Sequence, residues 1–201
     1  LTATATPSAT PSSAPTSPGA PSAGTPVDIR TRVEDDRGML KRLQLLIPGF
    51  RGYRQGEDLR AADSLLRLQV ADRVHGAVTA LQGCRQQLTE ASQFQGLTDL
   101  APALAELQEL EGEIRHAEQG YTGISPAVRI NPQQLETLYQ YDYGFVSAAD
   151  QVAATVAPLQ DAAGASDSAR IAQSIRTVRA QYRQLDTAFK ARRRAVEGIQ
   201  V

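Results

Sequence analysis

The sequence predicts an all-α protein, an elongated antiparallel helical bundle of four to five helices with coiled-coil-like seams and a disordered N-terminal tail. Three observations predict it. Apolar residues beyond position 27 recur in steps of three and four through several long stretches. Leu, Ala, Gln, Glu and Arg dominate those stretches, the composition of long helices. The stretches are separated by Pro, Gly and capping residues, which stop one helix and start the next. The chain is long enough to bury a core without disulfides or metals.

Residues 1–27 form the first unit and 28–201 the second. From Thr2 to Pro26 only Thr, Ala, Ser, Pro and Gly occur, so nothing can be buried and no charge can organise the chain. This segment is expected to be a flexible linker, with an O-glycosylated Ser/Thr/Pro stalk as the alternative. The chain opens at Leu1 rather than methionine, which leaves room for an upstream signal, anchor or domain.

The first helix is expected over Asp28–Ile47, capped by Asp28, with Ile29, Val33, Leu40, Leu43 and Ile47 on its inner face. Pro48 ends it by fixing φ and biasing Ile47 away from the α region. A built corner follows: Gly49 and Gly52 let the backbone reverse, and Phe50 and Tyr53 anchor it. The second helix is expected from Glu57 to Ala91, with Leu59, Ala62, Leu66, Val70, Val74, Ala77, Leu81, Cys84 and Leu88 as its stripe. Arg60, Asp63 and Arg67 fall on its other faces. Two steps of four between Leu66 and Val74 are a stutter in the heptad.

Residues Gln93–Gly96 are expected to turn, and the third helix to run from Leu97 or Thr98 to Gln119, with Pro102 in its first turn and Gly120 after its end. A long Gly/Pro loop containing Tyr121 and Gly123 leads to Asn131-Pro132, a strong helix start. The fourth helix is expected from Pro132 to Gln160 on Leu135, Leu138, Phe145, Ala149, Val152, Val156 and Leu159. Asp142 occupies the seam slot between Leu138 and Phe145. A seam acid is costly unless paired, so it is expected to find an arginine or backbone donors, with Tyr139, Tyr141 and Tyr143 around it. This cluster is expected to clamp the two loops together. After a turn over Asp161–Asp167, the fifth helix carries Ile171, Ile175, Val178, Tyr182, Leu185, Phe189, Val196 and Ile199, with Arg192 in the expected seam slot.

Composition and motifs narrow the function. The net charge of −1 gives the whole molecule no strong pull toward nucleic acid or acidic membranes. Cys84, the single cysteine, cannot form an intrachain disulfide and sits on the stripe as a small hydrophobe. No run of about eighteen apolar residues occurs. No Ser-His-Asp set, phosphate-cradling glycine loop or dinucleotide fingerprint is present. Asp72-x-x-His75 and Glu113-x-x-His116 copy the carboxylate-histidine spacing of di-metal bundles, but lie off the apolar stripes without inward glutamates on the last two helices, so solvated histidines are expected. Arg176, Arg179, Arg183, Lys190, Arg193 and Arg194 lie off the stripe of the fifth helix. They suit a contact with anionic lipid or nucleic acid or, as expected here, complement the acidic face of the third helix or form an ordinary solvated face.

The Ile47-Pro48-Gly49-Phe50-x-Gly52-Tyr53 corner, its Glu57/Arg60/Asp63/Leu66-Arg67 continuation, the Ile114 to Gly123 segment and Leu135-x-x-Leu138-Tyr139-x-Tyr141-Asp142 together resemble a group of uncharacterised helical proteins of bacteria and archaea. The resemblance implies a helical bundle and no established activity. The reading is therefore a non-enzymatic scaffold or adaptor without catalytic, cofactor-binding or metal residues, tethered by its linker. It would bind partner proteins or its own copies, and no nucleic acid. Its structural and interaction candidates are Pro48, Gly49, Phe50, Gly52, Tyr53, Tyr121, Gly123, Tyr139, Asp142, Tyr143 and Arg192. The alternative is a peripheral membrane-associated coiled-coil protein of the stress-response type, held by an upstream anchor or the basic last helix. A metal-dependent enzyme built on His75 and His116 is the third reading. The compartment, cytoplasmic or membrane-tethered, stays open.

Overall fold

A computed structural model describes residues 29–53, 56–117 and 131–199. The expectations for the tail, for Asp28 and Gly120 as caps and for Tyr121 and Gly123 lie outside these residues. So does the side-chain placement expected for Ile29, Val33, Leu59 and Ile199. Six helical segments follow in order: α1 (Ile29–Leu46), α2 (Gly56–Glu90), α3 (Phe94–His116), α4 (Pro132–Ala154), α5 (Val156–Gly164) and α6 (Ser168–Ile199). No strand occurs among the described residues. The fold is an all-α bundle.

The four long rods are α2, α3, the α4–α5 pair and α6. They close a ring in which α2 meets α3, α3 meets α6, α6 meets α4 and α5, and these return to α2. The first helix lies outside this ring, packed along α4, with its end bonded to α2 through Arg73. Short turns make α2 and α3 antiparallel, as they do α4–α5 and α6. The pairs across the ring run parallel. Asp63 of α2 shares Arg192 with Asp142 of α4, and further along both helices Arg73 pairs with Asp150. The antiparallel expectation thus holds for the two hairpins, while α2 and α4 are parallel neighbours.

The stripes fill the ring as their spacing requires. From α2 come Leu66, Val70, Val74, Ala77, Leu81, Cys84 and Leu88, from α3 Leu100, Leu104, Leu107 and Ile114. Opposite them stand Leu138, Phe145, Ala149, Val152 and Leu159, and from α6 Ile171, Ile175, Val178, Leu185 and Phe189. Stacked rings of Phe145 and Phe189, 5.7 Å between centroids, join α4 to α6. A fully buried Leu or Phe contributes roughly 1.5–3 kcal/mol, so these rows are the main source of cohesion.

Four boundaries differ from the sequence reading, one of them the end of α3, at His116 rather than Gln119. The α3 helix begins at Phe94, so Gly96 lies inside it and Pro102 beyond its first turn. Gly96 is buried because a Cβ there would stand 2.9 Å from Ile171 Cγ2 and 3.4 Å from Leu88, so only glycine lets α3 approach α6 this closely. Pro102 is tolerated because it is exposed, and the Thr98 carbonyl that it leaves without an N–H donor is on the wet side. The expected single helix from Pro132 to Gln160 breaks at Thr155, whose N–H and hydroxyl both turn back on the Val152 carbonyl, at 3.0 and 2.6 Å. Pro158, three residues on, cannot donate to Ala154, so the regular ladder stops there. Helix α5 then continues to Gly164, past the expected turn. Asp167 caps α6 by accepting from the N–H groups of Ala169 and Arg170.

Candidate functional site

The corner after α1 is held from outside by α2. Arg73 donates through Nη2 to the Leu46 carbonyl and Gln69 Nε2 donates to the Pro48 carbonyl at 2.9 Å, so α2 side chains satisfy acceptors at the α1 end. Gly49 and Gly52 both have φ of +83°, the left-handed region that the reversal was expected to need. Phe50 and Tyr53 turn inward and are buried. Phe50, Tyr53 and Tyr139 form a three-ring cluster, with Tyr53 and Tyr139 stacked at 5.6 Å and Phe50 edge-on to both. The Tyr53 N–H donates to Tyr139 Oη at 3.2 Å. The same hydroxyl would stand 2.6 Å from a Cβ on residue 52, so Gly52 is required for space as well as for φ.

Below these rings lies a buried polar cluster. Asn131 and Gln134 form a reciprocal capping box that starts α4, and Pro132 fills the first turn. From that start, the helical period carries Asp142 to the seam, where it is wholly buried. Tyr53 Oη donates to Asp142 Oδ2 at 2.6 Å and Arg192 Nε to Oδ1 at 2.7 Å. The other arm of Arg192 reaches Asp63 Oδ1 at 2.5 Å. Asp63 Oδ2 takes Arg67 Nε at 2.9 Å, and Arg67 Nη1 donates onward to the Ile114 carbonyl at 3.1 Å. Two carboxylates are thus matched by two guanidinium groups, and elements α2, α3, α4, α6 and the corner meet in one network. Phe145 lies under the Arg192 guanidinium, 5.8 Å from its carbon to the ring centre.

Burial sets the electrostatics. It pushes the Tyr53 phenol well above its ordinary range, with the adjacent Asp142 carboxylate adding to the effect. Burial also raises the Asp142 carboxyl, against the pull of Arg192 and the Tyr53 hydroxyl. The Asp142 and Asp63 carboxylates and Tyr53 hold Arg192 charged, well above the usual guanidinium value despite its burial. Each oxygen of the two buried carboxylates has a donor within the cluster. Such a set can fix geometry and resist rearrangement.

The structure brings together Phe50, Gly52, Tyr53, Tyr139, Asp142 and Arg192 from the sequence-derived candidates. The expected arginine for Asp142 is Arg192. Tyr53 replaces the α4 tyrosines as the phenol on Asp142: Tyr143 is half-buried against the core and Tyr141 faces solvent. Asp63, placed off the apolar face by its sequence context, is 2% exposed and central. A signal for it existed, since Asp63 lies three residues before Leu66 and seven before Val70 on the same face. The clamp between the corner and α4 is present. Its second loop lies outside the described residues.

On the surface, His75 Nδ1 lies 3.2 Å from Glu111, while Asp72 and Glu111 both engage Arg115, at 2.8 and 3.1 Å. The hydrogen bonds that Arg115 donates to these two carboxylates, Asp72 foremost, raise its guanidinium. Asp72 and His75 of the first apparent carboxylate-histidine motif thus stitch α2 to Arg115 and Glu111 of α3, while Glu113 of the second takes no part in these bonds. Among the described residues no group of three or more His, Cys, Asp or Glu side chains is gathered as a metal site, and no helix is long and apolar enough to cross a membrane.

Outside the bundle, an open groove of about 610 Å³ runs between the start of α4 and the end of α6. Asn131, Gln133, Gln134, Thr137 and Tyr141 form one wall, and Ala191, Arg194, Ala195 and Gly198 the other. The opposite flank of α6 faces acids. Asp186 pairs with Lys190 at 2.8 Å, and after that bond Glu113 of α3 adds to the rise of the Lys190 ammonium. Burial, then Asp186, Glu106 and Glu109, raise the Tyr182 phenol. Comparisons with protein-family models, with curated proteins and with solved structures return no match.

Proposed function

We propose that this chain is a non-enzymatic helical scaffold or adaptor, tethered through its Ser/Thr/Pro-rich linker, whose bundle binds partner proteins. The observation that carries the reading is the division of polar groups between inside and outside. The side chains best suited to chemistry, Tyr53, Asp63, Asp142 and Arg192, face inward and satisfy one another. The outward groove between α4 and α6 presents amide, hydroxyl and guanidinium groups, with the small residues Ala191, Ala195 and Gly198 along its α6 wall. Such a lining supports a polypeptide: small residues admit a close backbone, and amides pair with either backbone donors or acceptors. The resemblance to uncharacterised prokaryotic helical proteins agrees with a bundle of this kind.

The test is site-specific photocrosslinking in cells, with the reactive residue at Thr137 in the groove and, as control, at Gln82 on the exposed side of α2. The reading expects a discrete protein adduct, hetero or homo, from position 137 and none of that size from 82. No adduct at 137, or the same smear from both positions, contradicts it.

A further inference from the structure

One side of α6 has a charge pattern that the bundle itself does not use. Arg176, Arg179, Arg183, Lys190 and Arg194 follow steps of three and four, with Thr187 filling the one gap. At 100° per residue they fall on the side opposite buried Arg192, and all five are exposed. From 176 to 194 this ridge extends about 27 Å. The guanidinium groups of Arg179 and Arg183 make no hydrogen bond or ion pair with any other described residue, while Arg176 bonds Gln173 and Lys190 bonds Asp186. At its C-terminal end the ridge runs into the groove, since Arg194 belongs to both.

The flanks decide which anion fits. Toward α3 the ridge is bordered by Asp186, Glu106, Glu109 and Glu113. A broad polyanion such as a duplex or a bilayer plane would cover these carboxylates as well as the arginines and be repelled by them. A bilayer also needs apolar side chains beside the cations. Among the described residues the exposed large apolar side chains are Leu45, Leu68, Phe94 and Tyr141, and of these only Tyr141 borders the groove. At the Arg194 end, the border toward α4 is the neutral, hydrogen-bonding wall of the groove. The favourable ground is therefore the amide-lined groove at the Arg194 end and the positive ridge that leads out of it along α6.

Resting on the adaptor reading above, we propose that the groove and the adjoining α6 ridge receive an acidic segment of a partner protein. The part in the groove lays its backbone against Gln133, Gln134 and Thr137 and a carboxylate at Arg194, and the part beyond it carries carboxylates along Arg183 and Arg179. A helical occupant would need about five turns to span the ridge and an extended one about eight residues. The arginines supply orientation and encounter rate, and the groove supplies contact area.

The experiment is fluorescence anisotropy of the full chain with a short labelled oligoglutamate, against labelled oligolysine, phosphatidylserine-containing vesicles and a short DNA duplex. The proposal expects salt-sensitive binding of oligoglutamate alone. The doubly reversed variant Arg179→Glu/Arg183→Glu should weaken it by about tenfold or more, at the scale of a few exposed charge pairs. Filling the groove with Ala195→Trp should weaken it independently, with circular dichroism melts of both variants close to wild type. Oligoglutamate binding that neither variant alters, or vesicle or duplex binding that the charge reversal abolishes while oligoglutamate does not bind, overturns the proposal. The crosslinking at Thr137 separates the two levels. An adduct whose contacting peptide carries no acidic run removes this inference and leaves the adaptor reading, whereas no adduct at all removes both.

Discussion

The Tyr53 hydroxyl stands 2.6 Å from Oδ2 of Asp142, so a residue of the glycine corner is bonded inside the bundle to a helix 89 positions further along the chain. This bond is charge-assisted and fully buried. Tyr53→Phe keeps the stacked ring and deletes the bond, so it should cost about 1.5–3 kcal/mol. Thermal unfolding should show the loss as a drop of roughly 3–10 °C. A drop under about 1 °C would mean that the bond adds nothing to stability.

The same phenol makes the fold sensitive to alkali. Its folded pKa is raised well above 10.0 by burial and by Asp142. Below the unfolded value both states keep the proton, so the contribution is complete. As pH rises past about 10 the unfolded chain ionises first, and stability is lost until the folded pKa is reached. Between pH 9 and about 11.5, urea midpoints should therefore fall further for wild type than for Tyr53→Phe. Parallel curves would mean that Tyr53 titrates alike in both states.

The two corner glycines should behave differently although both have φ of +83°. A Cβ on residue 49 would come no nearer than 3.8 Å to Leu65, so Gly49→Ala should show only the backbone penalty of about 1 kcal/mol. On residue 52 it would meet Tyr139 Oη at 2.6 Å and Leu40 at 3.0 Å. Gly52→Ala should cost that penalty plus an overpacking term of roughly 1–3 kcal/mol. Chemical denaturation of the pair gives the comparison, and equal losses would refute the tight contact.

Glycines inside helices divide the same way. Gly96 has Ile171 at 2.9 Å, whereas nothing stands within 4 Å of a Cβ on Gly144. Gly96→Ala should destabilise by roughly 1–3 kcal/mol. Gly144→Ala, at an exposed position of α4, should stabilise by about 0.5–1 kcal/mol. Denaturant midpoints moving in the same direction would contradict this packing.

Much of the fold could be read from periodicity, because burial enforces it: every described stripe residue of α2, α4 and α6 is inside or half-inside. Asp142 and Arg192 were visible for the same reason, as charges in slots that the pattern reserves for apolar groups. What eluded the sequence depended on distant contacts. Gly96 looks like a turn glycine until Ile171 is seen beside it. Asp63 looks like a surface charge until Arg192 arrives from the far end of the chain. The break at Thr155 combined a common helix residue with a proline three positions on, and the apolar pattern continued across it. Tyr53 as the phenol on Asp142 could not be chosen over nearer tyrosines, since sequence spacing says nothing of which corner folds back.

The most direct test of the buried clamp is a double-mutant cycle between Asp142 and Arg192, whose groups meet at 2.7 Å with both side chains almost wholly buried. Asp142→Ala and Arg192→Ala should each cost about 3–5 kcal/mol, because each leaves a buried charge short of its partner. The double variant should cost far less than the sum, with a coupling of about 2 kcal/mol or more in urea unfolding. Losses that add to within about 0.5 kcal/mol would mean that the two groups do not depend on each other, and the clamp would then not be what holds the corner, α4 and α6 together.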